Sequence, residues 1–179
     1  MLTVNADCGN IVYTHKELIY RMKPDDWISY YIGLAHIVSK KSHDTQTQHG
    51  CIITDRKNRV ISIGYNGFPR GIDDSILPNT RPEKYPWMIH AERNALSNCL
   101  IRPENGIAYV TGQCCNDCIM ALWQEGVSTV YMHNKHGSYL IDETQKLIFN
   151  KFIQLTKMET YYVTPNLQWL NSVIENIQN

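Results

Sequence analysis

The chain has 179 residues, a length that suits one domain with a sizeable hydrophobic core. Hydrophobic residues make up 43% and charged residues 19%, and 17 basic residues balance 17 acidic ones, which argues against a protein that binds nucleic acid mainly through phosphate charge. The sequence has no apolar run of about 20 residues and no basic-then-apolar N-terminal signal, so we expect neither a membrane span nor secretion.

Residues 1–24 predict an appended N-terminal arm, with a short strand over 10–14 and a short helix to Met22. Asp25 and Asp26 then favour the start of a helix that runs from Trp27 to about Lys41. The large apolar residues of this helix recur at helical spacing, so we expect them to face the core. They are Trp27, Tyr30, Tyr31, Leu34, Ile37 and Val38.

Two strands are predicted next, from Gly50 to Thr54 and from Arg59 to Tyr65, joined by a polar hairpin turn. The stretch 64–71 contains three glycines and a proline, which indicates close approach of the backbone to another group; a plain tight loop is an equally good interpretation. The irregular segment 72–88 has three prolines and leads into His90, so we expect it to form a wall of a pocket. Its Tyr85 and Trp87 either stack on a planar ligand or pack inward.

Helices and strands alternate in the rest of the chain. The predicted helices are His90–Cys99, Cys115–Gln124, one from Asp142 to about Leu155 and a tail helix within 166–179; the predicted strands are Ile107–Thr111, Val127–Met132 and Thr160–Val163. This order predicts an α/β protein, a three-layer α/β/α domain over residues 25–165 with a mixed sheet of about five strands.

The main functional motif combines His90-Ala91-Glu92 with Cys115-x-x-Cys118. One imidazole and two thiolates supply three ligands for a tetrahedral Zn²⁺ and leave the fourth position open for water, as in catalytic zinc sites. Glu92 lies two residues from the His ligand, so its carboxylate can move protons beside the metal without binding it. This is the arrangement that zinc-dependent deaminases use.

A closed structural zinc site is the alternative interpretation, with Cys114, Cys99, His49 or His133 as the fourth ligand, although Glu92 has no role in such a site. Cys114 could also ligate instead of Cys115, but the three-residue interval to Cys118 favours Cys115. Half of the six cysteines lie within five positions, which favours metal binding in a reducing compartment over a disulfide framework, so we expect a cytoplasmic protein.

Further motifs accompany this pattern: Ser42-His43-Asp44 before Gly50, the block 64–71, Lys84-Tyr85-Pro86, His90-Ala91-Glu92-Arg93-Asn94-Ala95 and Glu125-Gly126-Val127. Together they resemble the motifs of deoxycytidylate (dCMP) deaminases, which have the cytidine-deaminase-like fold. The resemblance covers residues 26–163. The chain departs from the family at Cys114, where proline is usual, and at His49 and Cys51, where a small apolar pair is usual.

The resemblance implies a role for several residues. His90, Cys115 and Cys118 would hold Zn²⁺, and Glu92 would shuttle protons in the hydrolytic deamination of dCMP to dUMP, the precursor for thymidylate synthesis. The backbone N–H of Ala91 would bind the pyrimidine carbonyl. Asn66 would contact the deoxyribose hydroxyl, and Ser42 lies where such enzymes approach the 5′-phosphate.

The resemblance also implies regulation. Members are commonly homohexamers that dCTP activates and dTTP inhibits, each with Mg²⁺, at a pocket near the block 64–71. The candidate effector residues here are Tyr65, Asn66, Gly67 and Arg70. Two alternatives remain: a nucleotide-binding regulatory module without turnover, and a nucleic-acid cytidine or adenosine deaminase, which the neutral charge and the lack of a basic aromatic stripe oppose.

Overall fold

The structure is a computed structural model that describes residues 26–134 and 142–171. The predicted arm over 1–24, with its predicted short strand and helix, lies outside the described residues, and so do Asp25 and residues 172–179 of the predicted tail helix. Residues 168–171 of that tail are helical. Among the helices of the described ranges, none has the length and apolar character that crossing a membrane requires.

Nine helices and strands and two 3₁₀ turns of the described ranges bear on the site. They are α1 (Trp27–Ser39), β1 (Gly50–Thr54), β2 (Val60–Tyr65), two 3₁₀ turns (Asp74–Ile76 and Tyr85–Trp87), α2 (Ala91–Ser97), β3 (Gly106–Val110), α3 (Asn116–Gln124), β4 (Val127–His133), α4 (Glu143–Thr156) and β5 (Glu159–Val163). The predicted elements are confirmed within two residues at most ends.

The strands form one mixed five-stranded sheet in the order β2-β1-β3-β4-β5. β1 is antiparallel to both β2 and β3, whereas β3, β4 and β5 run parallel to one another. Parallel neighbours need a crossover connection, and α3 and α4 provide the two crossovers. The predicted fold class, a three-layer α/β/α domain with a mixed sheet, is confirmed.

Side chains that alternate along the strands build a separate core on each face of the sheet. Ile52 of β1 joins the cluster under α1, together with Tyr31, Ile32, Ala35, Tyr109 and Val163. Its neighbours Cys51 and Ile53 point to the opposite face and join the larger cluster that α2, α3 and α4 cover. Among the helices of residues 26–134 and 142–156, α1 therefore covers one face, and α2, α3 and α4 cover the other.

The prediction for the buried face of α1 is wrong at two residues. Trp27 and Ile37 are 49% and 52% exposed, while the fully buried positions include Ile32 and Ala35. The buried face is centred on Ala35, so Trp27 lies at its margin, and Ile37, two positions further along the helix, lies on the opposite side. A Cβ on Gly50 would meet the backbone carbonyl of Ala35.

The strand ends bring distant parts of the chain together. Gly50, at the start of β1, pairs with Tyr65 at the end of β2, and β3 also ends on this side because it is antiparallel to β1. Residues just outside these ends therefore meet. His49 precedes β1, Asn66 follows β2 and Gln113 follows β3, and all three line one cavity.

Gly64 provides a stability test, because its β2 backbone lies directly against α2. A Cβ at this position would come closer than 3.0 Å to backbone atoms of Ala91 and Ala95, which cannot move without shifting the helix. We expect Gly64→Ala to lower the free energy of unfolding by about 2–3 kcal/mol. The matched control is Gly67→Ala, where the nearest atom, in the Tyr65 ring, is 3.8 Å away. Equal urea midpoints for the two variants would contradict this packing.

Candidate active site

The side chains of His90, Cys115 and Cys118 form a metal-binding group, with their ligand atoms all within 4.8 Å of one another. Nδ1 of His90 lies 3.4 Å from Sγ of Cys115 and 3.4 Å from Sγ of Cys118. A nitrogen and a sulphur bound to one tetrahedral zinc lie about 3.6 Å apart, given bond lengths of about 2.1 and 2.3 Å. The donor set and its spacing therefore fit Zn²⁺.

Two helix starts position this group. His90 is the N-cap of α2 and Cys115 is the N-cap of α3, and neither side chain is used to cap its helix. Cys118 lies one turn into α3, on the same face as Cys115. The segment before His90 is fixed to the end of β2 by two backbone hydrogen bonds between Gly67 and Ile89, of 3.1 and 2.8 Å.

Contacts within the group set its protonation. Hydrogen bonds from Cys118 and His90 lower the pKa of the Cys115 thiol against the opposing effect of burial. The same pairing raises the pKa of Cys118, and the hydrogen bond to Cys115 raises the pKa of the His90 imidazole. Cys115 therefore favours the thiolate, the form of cysteine that binds a metal.

The fourth coordination position has no candidate among the described His, Cys, Asp and Glu residues, since the group has three members. Cys114 is fully buried, and burial raises the pKa of its thiol well above the usual range. His133 forms a 2.8 Å hydrogen bond with His36 instead. In contrast, His90 is exposed and lines the cavity with Cys115, so a small molecule can reach the group.

Glu92 and Ala91 line the same cavity, which has a volume of about 450 Å³. The Glu92 side chain is 5% exposed, and burial raises the pKa of its carboxyl, opposed by hydrogen bonds from its own backbone N–H and from the Cys114 thiol. A buried carboxyl that faces the cavity can accept a proton there and release it again. Ala91 is the first residue of α2, so its N–H has no acceptor within the helix.

Asn66 and Ser42 differ in their relation to this cavity. Asn66 lines it, with Oδ1 accepting from His49 N (2.7 Å) and Nδ2 donating to the Thr47 carbonyl (2.9 Å). Ser42 is buried and is absent from the cavity lining; its hydroxyl accepts a hydrogen bond from the backbone N–H of Asp44. The structure therefore brings Asn66 to the metal-binding group and places Ser42 behind the cavity wall.

The effector residues named from the sequence fall in two places. Tyr65, Gly67 and Arg70 line a second cavity of about 540 Å³, whereas Asn66 belongs to the first. The guanidinium of Arg70 donates hydrogen bonds to the side-chain oxygens of Asn94 and Asn98 on and beside α2. The block 64–71 thus lies between the two cavities.

Sequence reasoning missed a buried ion pair in the wall of the first cavity. Nζ of Lys84 lies 2.5 Å from Oδ1 of Asp44, and the two side chains are 1% and 4% exposed. Burial opposes ionisation of Asp44, but the hydrogen bonds from Lys84 and from the N–H groups of Gln46 and Thr47 outweigh it and lower the pKa of its carboxyl. The sequence contains only a weak indication of this pair. Both residues belong to motifs of the family, but 40 positions separate them.

Arg81 and Thr47, also missed, line the cavity and contact each other through the guanidinium and the hydroxyl. The irregular segment does form a wall, as predicted, because Arg81, Lys84, Tyr85 and Met88 all come from it. Tyr85 is exposed and lines the cavity, whereas Trp87 is exposed and does not line it. Neither ring packs inward.

Residues 25–134 match the family model described as the cytidine and deoxycytidylate deaminase zinc-binding region. A deoxycytidylate deaminase from Homo sapiens is 32% identical over 133 residues, which are 70% of this chain and 75% of the human protein. A probable deoxycytidylate deaminase from Caenorhabditis elegans is 30% identical over 153 residues, or 82% of this chain and 74% of that protein.

A solved structure shows the same fold. The dCMP deaminase from the cyanophage S-TIM5, in complex with dCMP and dUMP, superposes with a TM-score of 0.61 at 26% sequence identity. The match covers 78% of this chain and 97% of the phage protein.

The ion pair generates a prediction for stability. Lys84→Met leaves the Asp44 carboxylate buried without a counter-charge, so we expect a loss of about 3–5 kcal/mol in the free energy of unfolding, measured by urea denaturation. The double variant Asp44→Asn/Lys84→Met removes both charges and should recover most of this loss. Lys57→Met, at an exposed lysine of the hairpin turn, is the control. A loss below about 1 kcal/mol for Lys84→Met would show that the pair does not support the cavity wall.

Proposed function

The chain belongs to the cytidine and deoxycytidylate deaminase family, and we propose that it catalyses the hydrolytic deamination of dCMP to dUMP and ammonia, a reaction that supplies dUMP for thymidylate synthesis. The observation that carries this proposal is the accessible group of His90, Cys115 and Cys118 beside the buried carboxyl of Glu92 in one cavity. The names of the relatives, and the dCMP and dUMP bound to the phage enzyme, support the choice of substrate.

The proposed cofactor is Zn²⁺, held by the imidazole of His90 and the thiolates of Cys115 and Cys118. When bound there, the ion supplies Lewis acidity that makes water a usable nucleophile near neutral pH. The N-terminus of α3 directs its partial positive charge toward Cys115 and Cys118, which favours two thiolates close together.

The chain's own residues manage protons and orientation. Glu92 accepts one proton from the attacking water and gives it to the pyrimidine ring nitrogen. It then accepts the proton of the new hydroxyl on the attacked carbon and gives it to the amino group, which leaves as ammonia. Its burial keeps the carboxyl close to both steps and away from bulk water. The N–H of Ala91 donates to the pyrimidine carbonyl. Asn66 accepts from the deoxyribose hydroxyl through Oδ1, which receives one bond from His49 N, whereas Nδ2 already donates to Thr47 O and Asp44 Oδ2.

Regulation belongs to the same proposal. We assign dCTP activation and dTTP inhibition, each with Mg²⁺, to the second cavity with Tyr65, Gly67 and Arg70, in a homohexamer. Asn66 connects this cavity to the first, since it is the next residue to Tyr65 and lines the first cavity. An effector that shifts the block 64–71 would therefore change the position of a substrate contact.

Glu92→Gln tests the reaction. The amide keeps the shape of the side chain but cannot accept a proton, so we expect kcat for dCMP to fall at least about 100-fold while bound zinc stays at one ion per chain. Turnover is measured by ammonia release, and zinc by atomic absorption. Glu143→Gln, on the exposed surface of α4, is the control.

Three outcomes would contradict the proposal. Full activity of Glu92→Gln would show that Glu92 takes no part in the reaction. Loss of zinc from the variant would show that Glu92 is a metal ligand. A wild-type protein that binds dTTP but never deaminates dCMP, with or without dCTP, would be a regulatory module instead.

A further inference from the structure

The two basic side chains that line the first cavity differ in whether an acidic partner balances their charge. Its lining contains two permanently basic side chains, Lys84 and Arg81, and two acidic ones, Asp44 and Glu92. Lys84 is buried and its charge is balanced by Asp44 at 2.5 Å. In contrast, Arg81 is exposed, and no carboxylate of the described residues lies within ion-pairing distance of it. The charge of Arg81 is therefore available to bind an anionic group of a ligand in this cavity.

The contacts of Arg81 fix the guanidinium but leave most of its donors available. One Nη donates to the hydroxyl of Thr47, and the guanidinium carbon lies 5.8 Å from the centre of the Tyr85 ring. A guanidinium has five N–H donors in a planar fork, and this contact uses one of them. The remaining donors suit an oxyanion with several oxygens, above all a phosphate.

The buried ion pair holds both partners of this contact in place. Oδ1 of Asp44 accepts hydrogen bonds from the backbone N–H groups of Gln46 (2.8 Å) and Thr47 (3.0 Å), which fixes the loop that carries Thr47. The backbone N–H of Lys84 donates a hydrogen bond to the carbonyl of Thr80 at 3.0 Å, which closes the turn that contains Arg81. The pair between Asp44 and Lys84 thus joins the two segments, so the rim is arranged before a ligand arrives.

We propose that Arg81 binds the 5′-phosphate of the substrate and makes the enzyme select a nucleoside monophosphate over the nucleoside. This inference rests on the proposed function and identifies the residue that selects the class of substrate. Ser42, the residue expected to approach the phosphate, is behind the cavity wall with its hydroxyl on the Asp44 backbone. Arg81 instead lines the cavity that also contains the metal-binding group.

The test compares dCMP with deoxycytidine, which lacks only the phosphate. In zinc-loaded Arg81→Gln we expect kcat/KM for dCMP to fall about 10- to 100-fold, as for loss of a charged hydrogen bond, and kcat/KM for deoxycytidine to stay within twofold. Arg81→Lys keeps the positive charge but lacks the planar guanidinium with its several donors. Its kcat/KM for dCMP should lie between those of the wild type and Arg81→Gln. Arg59→Gln makes the same charge change in the hairpin turn, outside both cavity linings, and should leave both substrates unaffected.

Calorimetric binding of dCMP and deoxycytidine to the same proteins separates this inference from the proposed function. A wild-type protein that binds dCMP more tightly than deoxycytidine, but does not deaminate it, overturns the proposed function; Arg81→Gln must then still abolish the difference in affinity. The Arg81 assignment is overturned if the variant keeps the wild-type preference for dCMP, or loses the same factor with both ligands. It is also overturned if the wild type shows no preference for the phosphate.

Discussion

The whole site depends on one constraint: the residue before α2 and the first turn of α3 must lie within metal-binding distance of each other. The imidazole nitrogen of His90 lies 3.4 Å from each sulphur of Cys115 and Cys118, close to the spacing on a tetrahedral zinc. Both helices pack on the same face of the sheet, and the small residues Ala91 and Ala95 let α2 lie directly against Gly64 of β2. Because Glu92 belongs to this first turn of α2, the same packing places its carboxyl in the cavity.

Two kinds of element line the cavity: helix starts, which carry the candidate reacting groups, and two loops, which carry candidate substrate contacts. The metal-binding group and Glu92 come from helix starts over the sheet, whereas Thr47 and Arg81 come from the loop before β1 and the irregular segment before α2. The proposed phosphate contact of Arg81 requires these two loops to be held in place. The buried pair of Asp44 and Lys84 fastens the two loops together, and its charges are tolerated because each is fully hydrogen-bonded or paired.

The parts of the structure that local sequence determines could be predicted. The strands and the metal-binding group follow from short-range patterns, such as the three-residue interval between Cys115 and Cys118. The pairing of Asp44 with Lys84 could not be predicted, because it depends on how two loops 40 positions apart meet in space. The buried face of α1 was misassigned at Trp27 and Ile37 because apolar residues lie nearly all round this helix, so their spacing does not reveal which side faces the sheet.

Zinc K-edge X-ray absorption of the purified protein would report how many protein ligands the proposed zinc has. We expect two sulphurs at about 2.3 Å, one imidazole nitrogen at about 2.1 Å and one further oxygen from solvent. The oxygen should be replaceable by a small ligand that enters the cavity. A third sulphur or a second imidazole in the fourth position, with no solvent oxygen, would show a closed structural site instead.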